Sequence, residues 1–407
     1  MVRNFTKPEW ARINAALDAD PERYGLPEHR RKSVVMASFN IRKLGDPKKK
    51  SDGAFDFLAR FCARCDLVAI QEVLEDLSAL ERLRKETETH ADAKYGIVCS
   101  DITGGRLGAT GTNVERLAFL YRIGRVEPSM IASDISFDRS YIYKKLWDNR
   151  KELLKTFKEY EKARSAAEAA GKRKPIFVSP QFIDFIRTPH TCSFEIPASG
   201  QPYRFTAVNA HLLYGDKSKQ REERRREFEA LAEWMFVRAA KHKSYNQDFI
   251  LFGDLNLSFD KPEKQRPEII KALKNFNARL KKSRAATVVN FPFFDERTNP
   301  RSGGMETIRS NARLTETFDQ IGIFAHDERL PSWEDNPGVS AGRRKDDFDY
   351  QVFDFTNLFA ETLKGEPVPD LTKLKGAARK NWSDFINRFD DDVSDHMPLW
   401  VRLRIRN

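Results

Sequence analysis

The chain has 407 residues, 40% of them hydrophobic and 11% aromatic, which is enough to bury a large core and excludes a disordered, collagen-like or coiled-coil protein. Its 71 Lys and Arg against 60 Asp and Glu leave a formal charge of +11. No apolar run approaches the ~18 residues of a bilayer span, the opening MVRNFTKPEWARINAALDADPERYG lacks a secretory apolar stretch, and four cysteines are too sparse for a disulfide framework, so a soluble protein of a reducing, cytoplasmic compartment is expected.

In chain order, residues 1–32 read as an N-terminal helical extension and 33–407 as one domain. Short β-type runs follow at Val34–Asn40, Asp66–Glu72, Arg116–Arg122, Phe205–His211, Asp248–Asn256 and Phe318–Phe324. In the closing PLWVRLRIR, Val401, Leu403 and Ile405 alternate with arginines as a half-buried strand requires. Cys62 and Cys65 form a C-x-x-C, but no second pair follows at zinc spacing, and they read as helix-end residues before a strand.

The charge is concentrated. Lys144 to Lys174 carries eleven basic and five acidic residues, and Lys261 to Ala285 nine and two, in two helical or loop insertions at about 140–178 and 259–300. Clustered Lys and Arg of this kind suit a polyanion-binding flank as well as a solvated helix face. Lys217 to Lys243 reads as a surface helix whose stripe is Phe228, Leu231, Met235 and Phe236, and whose charges offset one another. A third insertion, rich in Pro, Asp and Lys, is expected at about 326–388.

The β-type runs end in chemically capable residues. Asn209 and His211, and Asp254 and Asn256, are two apart, a spacing that puts each pair on one strand face. Asn40, Glu72, Asp395 and His396 complete a set of carboxylates, carboxamides and imidazoles. Hard oxygen donors such as Glu72 and Asp395 suit Mg²⁺ or Mn²⁺, leaving the imidazoles free to move protons. Taken singly, each of these is more often a turn former, a solvated charge or a hydrogen-bonded structural residue. Their recurrence as N, QE, NxH, GDxN and SDH, each tied to a β-type run, has no such local explanation.

With SFNIRKLG at 38–45, IQEV at 70–73, VERLAFLYR at 114–122, FIRTPHTCSF at 185–194, VNAHL at 208–212, GDLNLS at 253–258, TFDQI at 317–321 and SDHMPL at 394–399, the sequence resembles the endonuclease/exonuclease/phosphatase superfamily, most closely its deoxyribonuclease I-like branch. The resemblance implies an α/β four-layer αββα sandwich, two mixed β-sheets packed face to face with helices outside. It implies Glu72 as principal metal ligand, with Asn40 and Asp395 close to the metal or to a second one, the cofactor being Mg²⁺ or Mn²⁺ with Ca²⁺ as a structural alternative. Asp254 and Asn256 would orient water and phosphate. His396 would be base or water-orienting group with Asp319 behind it, and His211 acid or phosphate ligand with Glu115 behind it. Arg42 and Arg187 match phosphate-contacting positions, and Asn209 is a further carboxamide donor to substrate.

These readings converge on metal-dependent hydrolysis of nucleic acid, DNA first, by an endonuclease. The alternative is a phosphatase or phosphodiesterase acting on a small or lipid-derived phosphoester such as a phosphoinositide. A chain with no secretory signal would need a restricted substrate or a control element, for which 326–388 is the candidate.

Overall fold

The first strand, β1 (Ser33–Leu44), shows how the layers arise. Its residues alternate between two buried faces, Val35, Ala37, Phe39 and Ile41 packing with helices and Val34 and Met36 packing with a second sheet. The computed structural model describes residues 4–30, 32–104, 114–135, 139–175, 177, 185–198, 200–215, 218–239, 244–257, 271, 275, 278, 288–294, 296–298, 305–327, 329–332, 336 and 349–404.

The remaining strands are β2 (Leu67–Val73), β3 (Tyr95–Cys99), β4 (Arg116–Arg122), β5 (Glu127–Asp134), β6 (His190–Ile196), β7 (Tyr203–His211), β8 (Phe249–Asp254), β9 (Val288–Asn290), β10 (Glu296–Thr298), β11 (Met305–Thr307), β12 (Asp319–Ala325), β13 (Asp349–Val352) and β14 (Leu399–Arg404). They form a six-stranded sheet ordered β13-β14-β1-β2-β4-β3, a second ordered β5-β6-β7-β8-β12-β9, and a β10-β11 hairpin. Both large sheets are mixed, with β1–β2 and β7–β8 parallel and their other pairings antiparallel. Between them lies a core that draws Val34, Leu67, Phe119 and Val401 from the first sheet and Phe194, Phe205, Phe252 and Ile321 from the second.

The helices whose bounds fall among the described residues are α1 (Lys7–Ala19), α2 (Asp52–Cys62), α3 (Ser78–Ala91), α4 (Arg139–Asp148), α5 (Arg150–Ala169), α6 (Ser218–Ala239), α7 (Phe355–Lys364) and α8 (Gly376–Asp392). The outer face of the first sheet is covered by α1, α2, α3, α7 and α8, and that of the second by α6, giving the expected αββα order. In α6 the stripe Phe228, Leu231, Met235 and Phe236 is buried, as its spacing requires.

The regions read as an N-terminal extension and as a third insertion both pack into the sandwich. Helix α1 begins with a capping box between Thr6 and Glu9 and buries Trp10, Ile13 and Leu17. Phe5 and Trp10 meet the Phe359 ring at centroid distances of 4.9 and 5.3 Å. Within 326–388, β13 is an edge strand of the first sheet, and α7 and α8 are the helices that α1 packs on. Of the second basic insertion, Lys274, Lys281 and Lys282 lie outside the described residues, and Lys271 is exposed. The C-x-x-C straddles the end of α2; all four cysteines are free, and burial pushes the Cys62 thiol up to about 12, as for an inert core thiol. No described helix is long and apolar enough to cross a membrane.

Candidate active site

One cross-strand row of the second sheet carries three of the expected residues. His211 on β7 is the register partner of Asp254 on β8, and Asp254 is the partner of Asp319 on β12. Gly253 lets β7 and β8 close up at this point, because a Cβ there would stand 2.0 Å from the Ala210 carbonyl oxygen.

The first sheet faces this row with Asn40 and Glu72. Asn40 continues the inward face of Val34 and Met36, whereas simple alternation from Val68 and Ile70 would aim Glu72 at the helices. A bulge redirects it: pairing of β2 shifts register between Ile70 and Val73, and Glu72 adopts φ +58°. Glu72 Oε1 then accepts from Asn40 Nδ2 at 3.2 Å and Oε2 from the Lys43 backbone N–H at 3.2 Å. Asn40 Nδ2 also donates to Asp254 Oδ2 at 3.1 Å.

Each histidine is held by a carboxylate from the opposite sheet. His211 Nδ1 lies 2.6 Å from Oε1 of Glu115, just before β4, and His396 Nδ1 lies 2.8 Å from Oδ2 of Asp319 at the start of β12. Both Nε2 atoms point at Asp254, 3.5 Å from its Oδ2. Such backing fixes the tautomer and strengthens the imidazole as a proton acceptor. Burial works against a charged His396, but Asp319 and Asp254 outweigh it and hold its pKa well above the ordinary histidine value. His211 is raised against burial and the Arg187 guanidinium, chiefly by Glu115. For Glu72, burial is opposed and overcome by His211 and His396, which keep the carboxyl below its ordinary range.

Asp254 and Asn256 come together for a different reason from strand alternation. Strand β8 ends at Asp254, and Asn256 has φ +52° in the following turn, where its backbone N–H donates to Asp254 Oδ1 at 2.9 Å. Its side-chain amide donates to the Leu212 carbonyl at 3.1 Å.

Asn209 is not delivered to the site as expected. Its amide donates to the carbonyls of Ile70 and Ala118 at 3.0 and 2.9 Å, and its carbonyl accepts from Gln71 at 2.6 Å. It shares a strand face with His211 but lies one step deeper between the sheets, where it clamps β7 onto β2 and β4.

The cleft over these groups holds about 490 Å³. Arg42 and Arg187 line it, Arg42 paired with Asp395 at 2.9 Å and Asp390 at 3.2 Å, Arg187 with Glu115 at 3.1 Å. Lys43, Tyr214, Arg313 and Phe318 also line it and were not singled out in the sequence. Tyr214, Arg313 and Phe318 stand on loops, where no periodicity marks them, whereas Lys43 lies near the end of β1; Lys43 and Phe318 fall inside the motifs SFNIRKLG and TFDQI. A second omission is on α6, whose charges were read as mutually offsetting. Arg224 and Glu227 are buried: Arg224 donates to the carbonyls of Leu213 and Gly215, and Glu227 accepts from the backbone N–H groups of Leu213 and Ile186. They anchor the loop that follows His211 and the segment that carries Arg187.

The donor set suits a hard divalent cation. Among the described residues, Asn40 Oδ1 and Asp395 Oδ1 are buried without a hydrogen-bond partner, and Glu72 lies beside Asn40. Asp254, Asp319 and His396 also bring ligand atoms within 4.8 Å of one another. Asp319 Oδ2 is taken up by His396 and by the Ser310 hydroxyl at 2.7 Å, however, so that group reads better as a proton-handling array than as a cage.

Residues 37–396 match the model of the endonuclease/exonuclease/phosphatase family. A deoxyribonuclease of Thioalkalivibrio sp. (strain K90mix) is 27% identical over 232 residues, covering 57% of this chain and 48% of that protein. Human deoxyribonuclease gamma is 27% identical over 97 residues, 24% of this chain and 31% of its own length. The chain thus spans half or less of the length of these relatives. A solved endonuclease/exonuclease/phosphatase from Bacteroides vulgatus aligns over 92% of this chain and all of its own at 13% identity, with a TM-score of 0.43. On the family match over most of its length, the chain belongs to the endonuclease/exonuclease/phosphatase family of hydrolases.

Proposed function

We propose that the cleft hydrolyses phosphodiester bonds of nucleic acid, with DNA as first substrate and internal cleavage as the mode. The carrying observation is the convergence of two carboxylate-backed imidazoles on Asp254, opposite Glu72 and Asn40 and under a rim of Arg42, Lys43, Arg187 and Arg313. The deoxyribonucleases among the relatives support the substrate class.

Phosphodiester hydrolysis needs an in-line water, compensation of charge on the nonbridging oxygens, and a proton for the leaving oxygen. Glu72, Asn40 and Asp395 would hold Mg²⁺ or Mn²⁺, which when bound supplies charge neutralisation and a more acidic water. Asp254 and the Asn256 amide orient the attacking water and the phosphate. His396, the imidazole made more basic by Asp319 and Asp254, accepts the water proton. His211, whose positive charge Arg187 disfavours, donates to the leaving oxygen. Arg42 and Arg187 give donors to the phosphate, each bringing a guanidinium that already faces an acid of the cleft.

A second reading has its own support, because about 490 Å³ is also the size of a small-ligand pocket. A small or lipid-derived phosphoester would meet the same groups. The deciding assay is a time course on supercoiled plasmid with and without Mg²⁺ or Mn²⁺, beside His211→Ala. Metal-dependent nicking lost in the variant supports the nuclease; no nicking, with release of phosphate from small phosphoesters, supports the second reading.

A further inference from the structure

The first basic insertion leaves and rejoins the sandwich at the active-site end of the second sheet. Asp134, the last residue of β5, pairs in register with His190, and His190 with Asn209, one step from the His211 row. The Asp134 carboxylate also meets His190 Nδ1 at 3.0 Å, and Ile135 N–H donates to the Pro189 carbonyl at 2.9 Å. The chain returns through Arg187, which lines the cleft. Helices α4 and α5, which lie between these points in the chain, are therefore rooted at the cleft's rim.

Helix α5 buries Tyr160 alone among its described side chains, with ring contacts to Phe157 and Phe177. Its Lys, Glu, Ala and Leu content sustains the helix without much packing. One face carries Lys151, Lys155, Lys158 and Lys162, spaced i, i+4, i+7 and i+11 so that they form a single row about 16 Å long. All four are exposed, and none has an ion pair or hydrogen bond among the described residues. Charges left unpaired along a straight row are dispensable to folding and suit a ligand with regularly spaced negative charge. Beside the row, Trp147 is 67% exposed with the Arg150 guanidinium 4.2 Å over its ring, an arrangement open to a stacked base.

We propose that this lysine row is a second contact surface for the nucleic-acid backbone, holding phosphates outside the cleft so that a polymer is bound more tightly than the small phosphoester at its centre. The inference rests on the nucleic-acid reading of the cleft and names how that substrate is gripped.

The test uses the full chain and the variant with Lys151, Lys155, Lys158 and Lys162 all changed to Gln, a substitution that keeps helix propensity. Binding to a fluorescent 40-base-pair duplex in EDTA is measured against salt, and hydrolysis of bis(p-nitrophenyl) phosphate with Mn²⁺ reports on the cleft alone. The expected result is a log–log salt slope lower by about 3 to 4, so that the affinity lost between 50 and 200 mM salt shrinks roughly 100-fold. Ester hydrolysis should be unchanged, and the four-arginine variant should restore the slope. An unchanged slope in a folded variant, while the parent binds duplex in a salt-dependent way, overturns the exosite and leaves the nuclease reading standing. A parent that binds phosphatidylserine vesicles through the row and no duplex overturns both.

Discussion

The two histidine arms are built in opposite senses. His211 stands on the second sheet and is held by Glu115 from the first; His396 stands beside the first sheet and is held by Asp319 from the second. Neither pair exists until the sheets pack, so the core between them also assembles the two histidine–carboxylate pairs. The arms differ in what else the carboxylate holds. Glu115 carries the Arg187 guanidinium, while Asp319 accepts the neutral Ser310 hydroxyl. A cation shared by one carboxylate loosens the proton of its imidazole, and a hydroxyl does so far less, which is the physical basis for proposing His211 as donor and His396 as acceptor.

The largest effect is expected where the arms have common dependence. Glu72→Gln should abolish metal-dependent turnover while leaving the circular dichroism spectrum intact; full activity would remove Glu72 from the metal site. His396→Ala and His211→Ala should each cost about 10²- to 10⁴-fold in kcat/KM, and a mild loss in either would end the comparison by leaving one arm without a role.

Removing the backing carboxylates separates the arms. Asp319→Asn and Glu115→Gln should each cost about 10- to 100-fold. Both carboxylates raise the pKa of their imidazole, so each variant lowers it. For an acceptor that must be neutral, Asp319→Asn then moves the acidic limb of the pH–kcat/KM profile to lower pH. For a donor that must be protonated, Glu115→Gln moves the alkaline limb to lower pH. If each variant moves the other limb, the two roles are exchanged.

The smallest effect lies outside the cleft and serves as a control for the electrostatic reasoning. Glu9 on α1 pairs with Arg388 on α8 at 2.7 Å, and that hydrogen bond holds its carboxyl at about 2 against an ordinary 4.5. A depressed folded-state pKa contributes stability that is complete above the ordinary value and fades as pH falls from 4.5 toward 2. Glu9→Gln should therefore lower stability by about 1 kcal/mol or less near neutrality, with the difference in Tm closing below pH 4.5. A difference constant across that range would show that the Glu9 carboxylate charge contributes nothing through its pairing with Arg388.

Much of the fold was legible where periodicity is strong. The strands running to Asn40, Glu72, Arg122, His211 and Asp254 lie where the β-type runs place them, and α6 buries the stripe read from its spacing. Strands β3, β5, β6 and β13 were not read from their local pattern. Tyr95–Cys99 is short, and Glu127–Asp134 is a largely exposed edge strand without an apolar alternation. The region 326–388 read as an insertion because its composition is polar, yet its helices close the outer layer through a few large aromatics, Phe355, Phe359, Phe385 and Phe389.

What the sequence by itself determined is the inventory and order of the site: carboxylates, carboxamides and imidazoles at strand ends, with basic residues gathered into insertions. Those are local properties, set by residue type and by the two-residue period of a strand. Tertiary structure decided which of them meet. A bulge with positive φ turned Glu72 to Asn40, an Asx-type turn brought Asn256 under Asp254, and the depth of Asn209 between the sheets committed its amide to Ile70 and Ala118. Pairings across two packed sheets depend on register and sheet separation, which no local pattern encodes, and both histidine–carboxylate pairs of this protein are pairings of that kind.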